Sequence, residues 1–420
     1  MKKDFLATLL TEGLVLLMGL WGFKLAGQRF GAEGFALYSL ARRAFSFLYF
    51  FGNWGFGASI PRFIAFHHDD KEKQHQYLVA GVLSSVVVTL LLFFVVTLLI
   101  RPLTYLFFGS HQPARLLQGI GFLLLLNPLL IGVYGYFRGI QAPRHANLFK
   151  VLSQGIPMVA AIFLSASVAD IFWKQSALTF LAGGVYAVVL LYSTRLHRTP
   201  FPGRDVFRSL LSYSLPRIIG DISFIALSSL PPFLITHLVD YKAGGAMAFG
   251  ITLMNIMAFT MSPVGLVFLP RATILLKEMK IREVGRVVRK VSGMAWLIGG
   301  ATLVAFLVAG RFVLPWIAVS DDYGLLWNLV GVALLAGVFN VHFIGLRSFI
   351  DAAYHKSYNA FHAFYALILF LGLASGALAL PQPYRLPVVM GAFVVSFIFL
   401  YVLTIRKIRK MLLEREFLND

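Results

Sequence analysis

Ser39, Arg42, Ser46, Tyr49 and Asn53 recur at spacings of 3, 4, 3 and 4 within Gly34 to Ala65, a stretch otherwise aromatic and aliphatic. On a helix these five side chains share one stripe. The stretch is long and apolar enough to cross a bilayer, yet two adjacent arginines, Arg42 and Arg43, stand well inside it. A cation at that depth costs roughly 2.5–3.5 kcal/mol on insertion scales and is kept where it faces a bundle interior or a wet cavity. The expected chemistry is capture of an anionic group by a helix that lines a cavity.

Other polar residues in apolar surroundings extend this reading. Glu12 lies in the first apolar stretch without an escape to water, and Lys24 in the same stretch can snorkel to an interface. Ser214, Arg217, Asp221 and Ser228 share a second helical stripe. Arg217 and Asp221, four apart, either form a structural ion pair or act as a switch. In the switch, Arg217 holds an anionic headgroup and Asp221 takes a proton or sodium ion. Pro216, Pro231 and Pro232 remove backbone donors nearby, which predicts a bend. Thr252, Asn255, Phe259 and Ser262 share one side of another stretch, as do Asn127, Tyr134 and Arg138, and Asn340, Arg347 and Asp351. Arg62, Arg138, Arg271 and Arg347 stand at helix ends and read first as anchors.

The elements that position these residues follow from composition. Hydrophobic residues make up 59% of the chain and charged residues 13%, against about 25% charged in a soluble domain. This is an all-α polytopic membrane protein. About 20 apolar residues make one span, and twelve such segments are expected: 6–27, 35–60, 77–100, 116–137, 147–168, 176–193, 209–236, 244–268, 290–310, 325–346, 358–379 and 386–404. The first reads as a retained span, not a signal peptide. There is no cysteine, hence no disulfide or thiolate chemistry.

The net charge of +19 reflects topology. With both termini in the cytoplasm, 26 of the 37 Lys and Arg fall on cytoplasmic segments, counting Lys150 and Lys290 at the cytoplasmic margins of their spans, 7 on the opposite side, and 4 deeper within spans (Lys24, Arg42, Arg43 and Arg217). That is the positive-inside asymmetry, with attraction to anionic headgroups added. The clusters are split among short loops, which argues against nucleic acid. The cytoplasmic stretch 271–289 carries Leu275, Leu276, Met279, Ile281 and Val284 among its charges, and is expected to lie on the inner leaflet as an amphipathic helix.

An offset of 209 residues aligns Ile60-Pro61-Arg62 with Leu269-Pro270-Arg271, Glu12 with Asp221 and Arg138 with Arg347; with one residue of slack His145 meets His355. The matches favour a duplicated six-helix unit with parallel repeats. The expected organisation is a six-helix lobe over 1–193, a basic linker over 194–208, a second six-helix lobe over 209–404 and a basic cytoplasmic tail over 405–420.

Some motifs carry less. Gly52-Asn53-Trp54-Gly55-Phe56-Gly57 lacks a following Gly-Lys-Ser/Thr, so it is no P-loop; it suits a bend or a close helix contact. His67, His68 and His75 with Asp69 and Asp70 read as a solvated loop before a metal site. No paired-carboxylate or Ser-His-Asp pattern is visible in the outer loops, so neither catalytic residues nor a metal are assigned, and the chain is not expected to be an enzyme.

Phe30-Gly31-Ala32-Glu33-Gly34-Phe35-Ala36-Leu37-Tyr38-Ser39, Asn53-Trp54-Gly55-Phe56-Gly57 and Ile60-Pro61-Arg62-Phe63-Ile64-Ala65 resemble the opening of the Wzx-type polysaccharide flippases, in the superfamily of MurJ and the MATE exporters. Asp240-Tyr241-Lys242-Ala243-Gly244 and Tyr213-Ser214-Leu215-Pro216 are similar to the second-half counterparts. The resemblance implies two six-helix lobes, alternating access, and a lipid-linked oligosaccharide as cargo in the cytoplasmic (inner) membrane. It implies that Lys24, Arg42, Arg43 and Arg217 meet the lipid's phosphates. The eighth span holds no internal Arg or Lys, a departure from the MurJ pattern. Tyr38 and Tyr49 are expected to stack on sugar rings, Asn53 and Asn255 to bind substrate, and Glu12 or Asp221 to couple a proton or sodium ion; no cofactor is expected. Glycan polymerase or glycosyltransferases of the same pathway are the expected partners beside the bilayer. The alternatives are a MATE-type drug or cation antiporter and a non-transporting scaffold for envelope glycan assembly.

Overall fold

The computed structural model describes residues 2–109, 114–196, 199–261, 275–276, 278, 280–354 and 357–416, without the side chains of 2–6, 217 and 414–416. Among them every regular element is a helix. The first, α1 (Lys2–Asn53), contains an apolar run of 47 residues from Ala7. As a straight rod it would measure about 70 Å, more than twice the roughly 30 Å of hydrocarbon it must cross. The solution is at Gly31, where φ 71 and ψ −172 break the helix. Phe23 then meets Tyr38 edge-on at 5.3 Å between ring centroids; in a straight helix about 22 Å would separate these positions. The element is therefore a hairpin of two passes. Its corner uses a backbone region open essentially to glycine. Nothing lies within 4 Å of where a Gly31 Cβ would stand, so Gly31→Ala meets a purely conformational penalty of about 1–3 kcal/mol. The expected outcome is a lower thermal-unfolding midpoint in detergent; an unchanged midpoint would show that the corner does not depend on glycine.

The second pass breaks again at Trp54 (φ 40) and Gly55 (φ 74) before α2 (Phe56–Phe66). Asn53 Oδ1 caps the new helix by accepting from the Gly57 N–H at 3.1 Å. A Cβ on Gly55 would stand 3.2 Å from the Ser214 carbonyl oxygen, so this glycine supplies both the bend and the close approach expected of its motif. The first compact unit, Met1–Ile218, continues through α3 (Lys71–Leu98), α4 (Ile100–Phe108), α5 (Ala114–Leu124), α6 (Asn127–Gly139), α7 (Pro143–Lys150), a π turn at Val151–Gly155, α8 (Ile156–Leu164) and α9 (Val168–Ser193). Asp70 and Ser167 start α3 and α9 by accepting from the N–H groups of Lys73 and Asp170, as N-caps should. The core forms where Ile60 and Ile64 of α2 press on Gly81, Gly135 and Gly139. Small residues let helices approach closely where lipid provides no hydrophobic drive.

The helix α10 (Arg204–Leu238) leads into the second compact unit, Ile219–Asp420. There follow α11 (Tyr241–Phe259), α12 (Ile281–Ile317), α13 (Tyr323–Ala353), α14 (Tyr358–Ser375) and α15 (Gln382–Glu416). The buried helix of this unit is α13, packed against α11, α12 and α15. Eleven helices among the described residues are long and apolar enough to cross a membrane. Since the first is a hairpin, the twelve expected passes are present.

Pro216, Pro231 and Pro232 all lie within α10, which runs as one helix from Arg204 to Leu238; the Pro232 carbonyl accepts from Thr236 Oγ1 at 2.9 Å. One expectation is corrected. The described part of 271–289 does not offer its apolar side to a leaflet. Leu275, Leu276, Ile281, Val284 and Val288 are buried within the chain, the last three as the start of α12. Their stripe is a packing surface, matched by buried Ile408 and Met411 of α15. Residues 262–274, including Ser262, Pro263 and the Leu269-Pro270-Arg271 repeat partner, and His355 lie outside the described residues.

Candidate substrate site

The polar stripe of the second pass is built by the hairpin that brings it beside the first. Ser39 is buried, its hydroxyl bonded to the Phe35 carbonyl at 2.7 Å. Arg42, Ser46, Tyr49 and Asn53 are half-buried, so one strip of this helix keeps an open side. The Arg42 guanidinium stands 5.8 Å from the Phe45 ring centroid. Ser46 donates to the Arg42 carbonyl at 2.9 Å, and Tyr49 packs between Phe45 and Phe50. Arg43 is 5% exposed. The two adjacent arginines thus differ in kind: Arg42 is accessible and Arg43 belongs to the interior. Asn53 spends its carboxamide oxygen on the helix cap.

The expectation that Tyr38 stacks on sugar is corrected. Tyr38 is fully buried between Phe23 and Phe172, and its hydroxyl has no hydrogen-bond partner among the described residues. An unpartnered buried hydroxyl costs about 1–3 kcal/mol. Tyr38→Phe is therefore expected to raise the unfolding midpoint and leave transport unchanged, which a paired melt and transport assay checks.

Sequence reasoning counted Lys150 with the cytoplasmic segments. The structure places its ammonium on Glu12 Oε2, both side chains about one-fifth exposed. Tyr134 donates to Glu12 Oε1 at 3.4 Å. The Lys150 ammonium stands 5.7 Å and the Arg138 guanidinium 5.6 Å from the Tyr134 ring centroid. One turn from this cluster, Asn147 Nδ2 donates to Thr8 Oγ1 at 3.2 Å and ties α7 to α1. The π turn begins at the residue after Lys150. Such bulges gather at functional positions because they re-aim neighbouring side chains. Two cations, one carboxylate and a phenol therefore converge from α1, α6 and α7. The signal available in the sequence was a lysine near the start of an apolar run, with an acid equally deep in another.

The remaining candidates are placed singly. Lys24 is half-buried in the first pass, and Asn255 is half-buried in α11. Asp221 is exposed on α10, whereas Ser214 and Ser228 on the same stripe are buried. Ser214 donates to Ser59 at 2.9 Å. The Arg217 side chain lies outside the described residues, so its pairing with Asp221 remains an expectation. At Arg347, the position that the 209-residue offset pairs with Arg138, Asn359 Nδ2 donates to the Arg347 carbonyl at 2.9 Å and to Asp351 Oδ1 at 2.8 Å. His67 bonds the Phe63 carbonyl, and His68 pairs with Asp69. Among the described residues no three His, Asp or Glu stand together as metal ligands.

The chain folds as two units of long apolar helices, with charge held inside the passes. The chain is similar to a multidrug-resistance MATE transporter of the MOP superfamily in an inward-facing conformation, at 14% identity over 94% of this chain and 95% of that one, with a TM-score of 0.73. A MATE protein in complex with MaL6 gives 14% identity, 98% and 97% coverage and a TM-score of 0.68. A MOP superfamily transporter from Pyrococcus furiosus, noted for the reverse polarity of its binding pocket, gives 15%, 99% and 95%, and 0.67. No curated protein matches the sequence. Residues 1–275 match the polysaccharide biosynthesis protein family, and the chain belongs to it. It is a multi-pass membrane protein, and the Wzx-type resemblance fits that family.

Proposed function

We propose that the chain is a flippase that moves a polyprenyl-(pyro)phosphate-linked oligosaccharide from the inner to the outer leaflet of the cytoplasmic membrane by alternating access. The observation that carries this reading is the accessible cation Arg42 on a half-open polar strip inside a membrane pass, in a chain of the polysaccharide biosynthesis family. Within the span bounds given above, the passes hold six cations (Lys24, Arg42, Arg43, Lys150, Arg217 and Lys290) against two carboxylates (Glu12 and Asp221). Such a balance suits an anionic cargo. A fold that elsewhere carries a binding pocket of reversed polarity can accept a change of cargo charge.

In the proposed cycle, a cargo phosphate takes Glu12's place on Lys150, with Arg42 and Arg217 as further donors. Arg forks match phosphate oxygens in bidentate geometry. Displaced Glu12 then becomes free to take a proton, or Asp221 a proton or sodium ion, and restoring the Glu12–Lys150 pair releases the cargo. Tyr49, half-buried beside Arg42, offers a ring to sugar. Glycosyltransferases that make the lipid-linked substrate and a polymerase that consumes it would flank this step. The chain is read as a transporter without catalytic groups of its own.

Likeness to MATE exporters supports a second reading, drug or cation antiport through Glu12 and Asp221. Cells lacking the chain separate the two. A flippase predicts lipid-linked glycan accumulating on the inner leaflet, cleared on re-expression, with drug sensitivity unaltered. A change in drug sensitivity without glycan accumulation would overturn the flippase reading.

A further inference from the structure

The first unit holds a cavity of about 800 Å³ whose lining includes none of the residues assigned to transport. It opens between the turn before α3 and the ends of α6 and α9. Its lining includes His68, Lys71, Gln74, His75, Gln141 and Arg195, and no carboxylate. Tyr136, which also lines it, lies two positions from both Tyr134 and Arg138 on α6, about 200° around the helix and so on the opposite side from them. Three acids lie close in sequence: Asp69 pairs with the lining residue His68 at 2.9 Å, Asp70 accepts from the Lys73 N–H at 2.9 Å, and Glu72 accepts from Gln76 Nε2 at 3.2 Å. No ion-pair partner for Lys71 or Arg195 exists among the described residues.

Backbone geometry gives a second, independent sign. Gln141 (φ 57) and Arg195 (φ 55) are two of three described non-glycine residues with positive φ. Both follow a helix C-terminus, where glycine is the favoured left-handed residue. Here the strained conformation is kept together with a long polar side chain at the cavity, a pattern that gathers at functional sites. Some of the helix-end carbonyls are already used: Leu190 O accepts from Thr194 Oγ1 at 2.6 Å, and Phe137 O from the Ala142 N–H at 2.8 Å.

We propose that this cavity is a second anion site, separate from the transport site, which binds a phosphate monoester or diester. The positive-inside pattern assigns this end to the cytoplasm, where such a group comes from an anionic lipid headgroup or from a soluble phosphate ester. The site does not depend on the flippase reading, because binding is measured without transport.

The test uses the purified full chain, with native mass spectrometry for phosphatidylglycerol against phosphatidylcholine and calorimetry for glycerol 3-phosphate. Lys71→Gln with Arg195→Gln is compared with Lys73→Gln, an exposed lysine of the same turn outside the lining. One basic residue contributes roughly fivefold to anionic-headgroup binding, so the double variant is expected to bind about 25-fold more weakly. Lys73→Gln is expected to change little and Lys71→Arg to retain binding. Loss confined to phosphatidylglycerol identifies a lipid; loss confined to glycerol 3-phosphate identifies a soluble ester; both support the site. If the double variant does not elute as folded protein, Lys71→Gln alone decides, at roughly fivefold. Binding of both probes unchanged in the variants, or lowered equally by Lys73→Gln, overturns the proposal.

Discussion

Arg42→Ala is expected to cut translocation of a pyrophosphate-linked oligosaccharide by roughly 10- to 150-fold while leaving the unfolding midpoint near wild type. The range corresponds to one lost hydrogen bond to a charged group, about 1.5–3 kcal/mol. Arg43→Ala is expected to do the reverse in emphasis. Arg43 is 5% exposed, so truncation leaves a cavity and disrupts its surroundings, at about 2–4 kcal/mol of stability. Arg42 is half-buried beside an open strip, with an aromatic neighbour 5.8 Å away, so little packing is lost with it. Parallel melts and transport assays at matched protein levels read the contrast. Equal effects of the two variants on both measures would remove the distinction between an accessible and an interior arginine.

The second large effect falls on the Glu12–Lys150 pair. Lys150→Ala leaves Glu12 in a membrane pass with the Tyr134 hydroxyl at 3.4 Å, and is expected to lower stability by about 1–3 kcal/mol and to abolish transport. Glu12→Gln keeps a hydrogen-bonding side chain and frees Lys150, so cargo is expected to bind more tightly and leave more slowly, with KM and kcat both falling. Replacing both, as Glu12→Leu with Lys150→Met, removes the desolvation cost of each charge, so stability returns while transport stays lost. A double variant that transports would show that the pair is a structural brace. One that stays as unstable as Lys150→Ala would show that the two side chains are not coupled.

The number and order of passes were legible because a membrane pass is a run of apolar residues of set length. The hairpin corner was legible as the gap between the expected spans 6–27 and 35–60, although the glycine that makes it emerged from its φ of 71. The stripe from Arg42 to Asn53 was legible because helical periodicity places side chains by spacing alone. Tyr38 was misread for the same reason. It precedes Arg42 by four residues and shares its face, but the hairpin turns that end of the face into the core against Phe23. Lys150 was not legible because its partner is 138 residues away. Periodicity says nothing about which faces meet. The stretch 271–289 looked suited to a leaflet because an amphipathic stripe has the same pattern whether lipid or protein covers it; the burial of Leu275, Leu276, Ile281, Val284 and Val288 shows that protein covers its described part.

The most direct measurement is the initial rate at which proteoliposomes carry a fluorescent polyprenyl-pyrophosphate-linked oligosaccharide between leaflets, with wild type against Arg42→Ala at equal incorporation and equal unfolding midpoint. Wild type is expected to move the lipid and Arg42→Ala to move it at least tenfold more slowly. Equal rates for the two proteins would contradict a cationic strip that receives the cargo's phosphates.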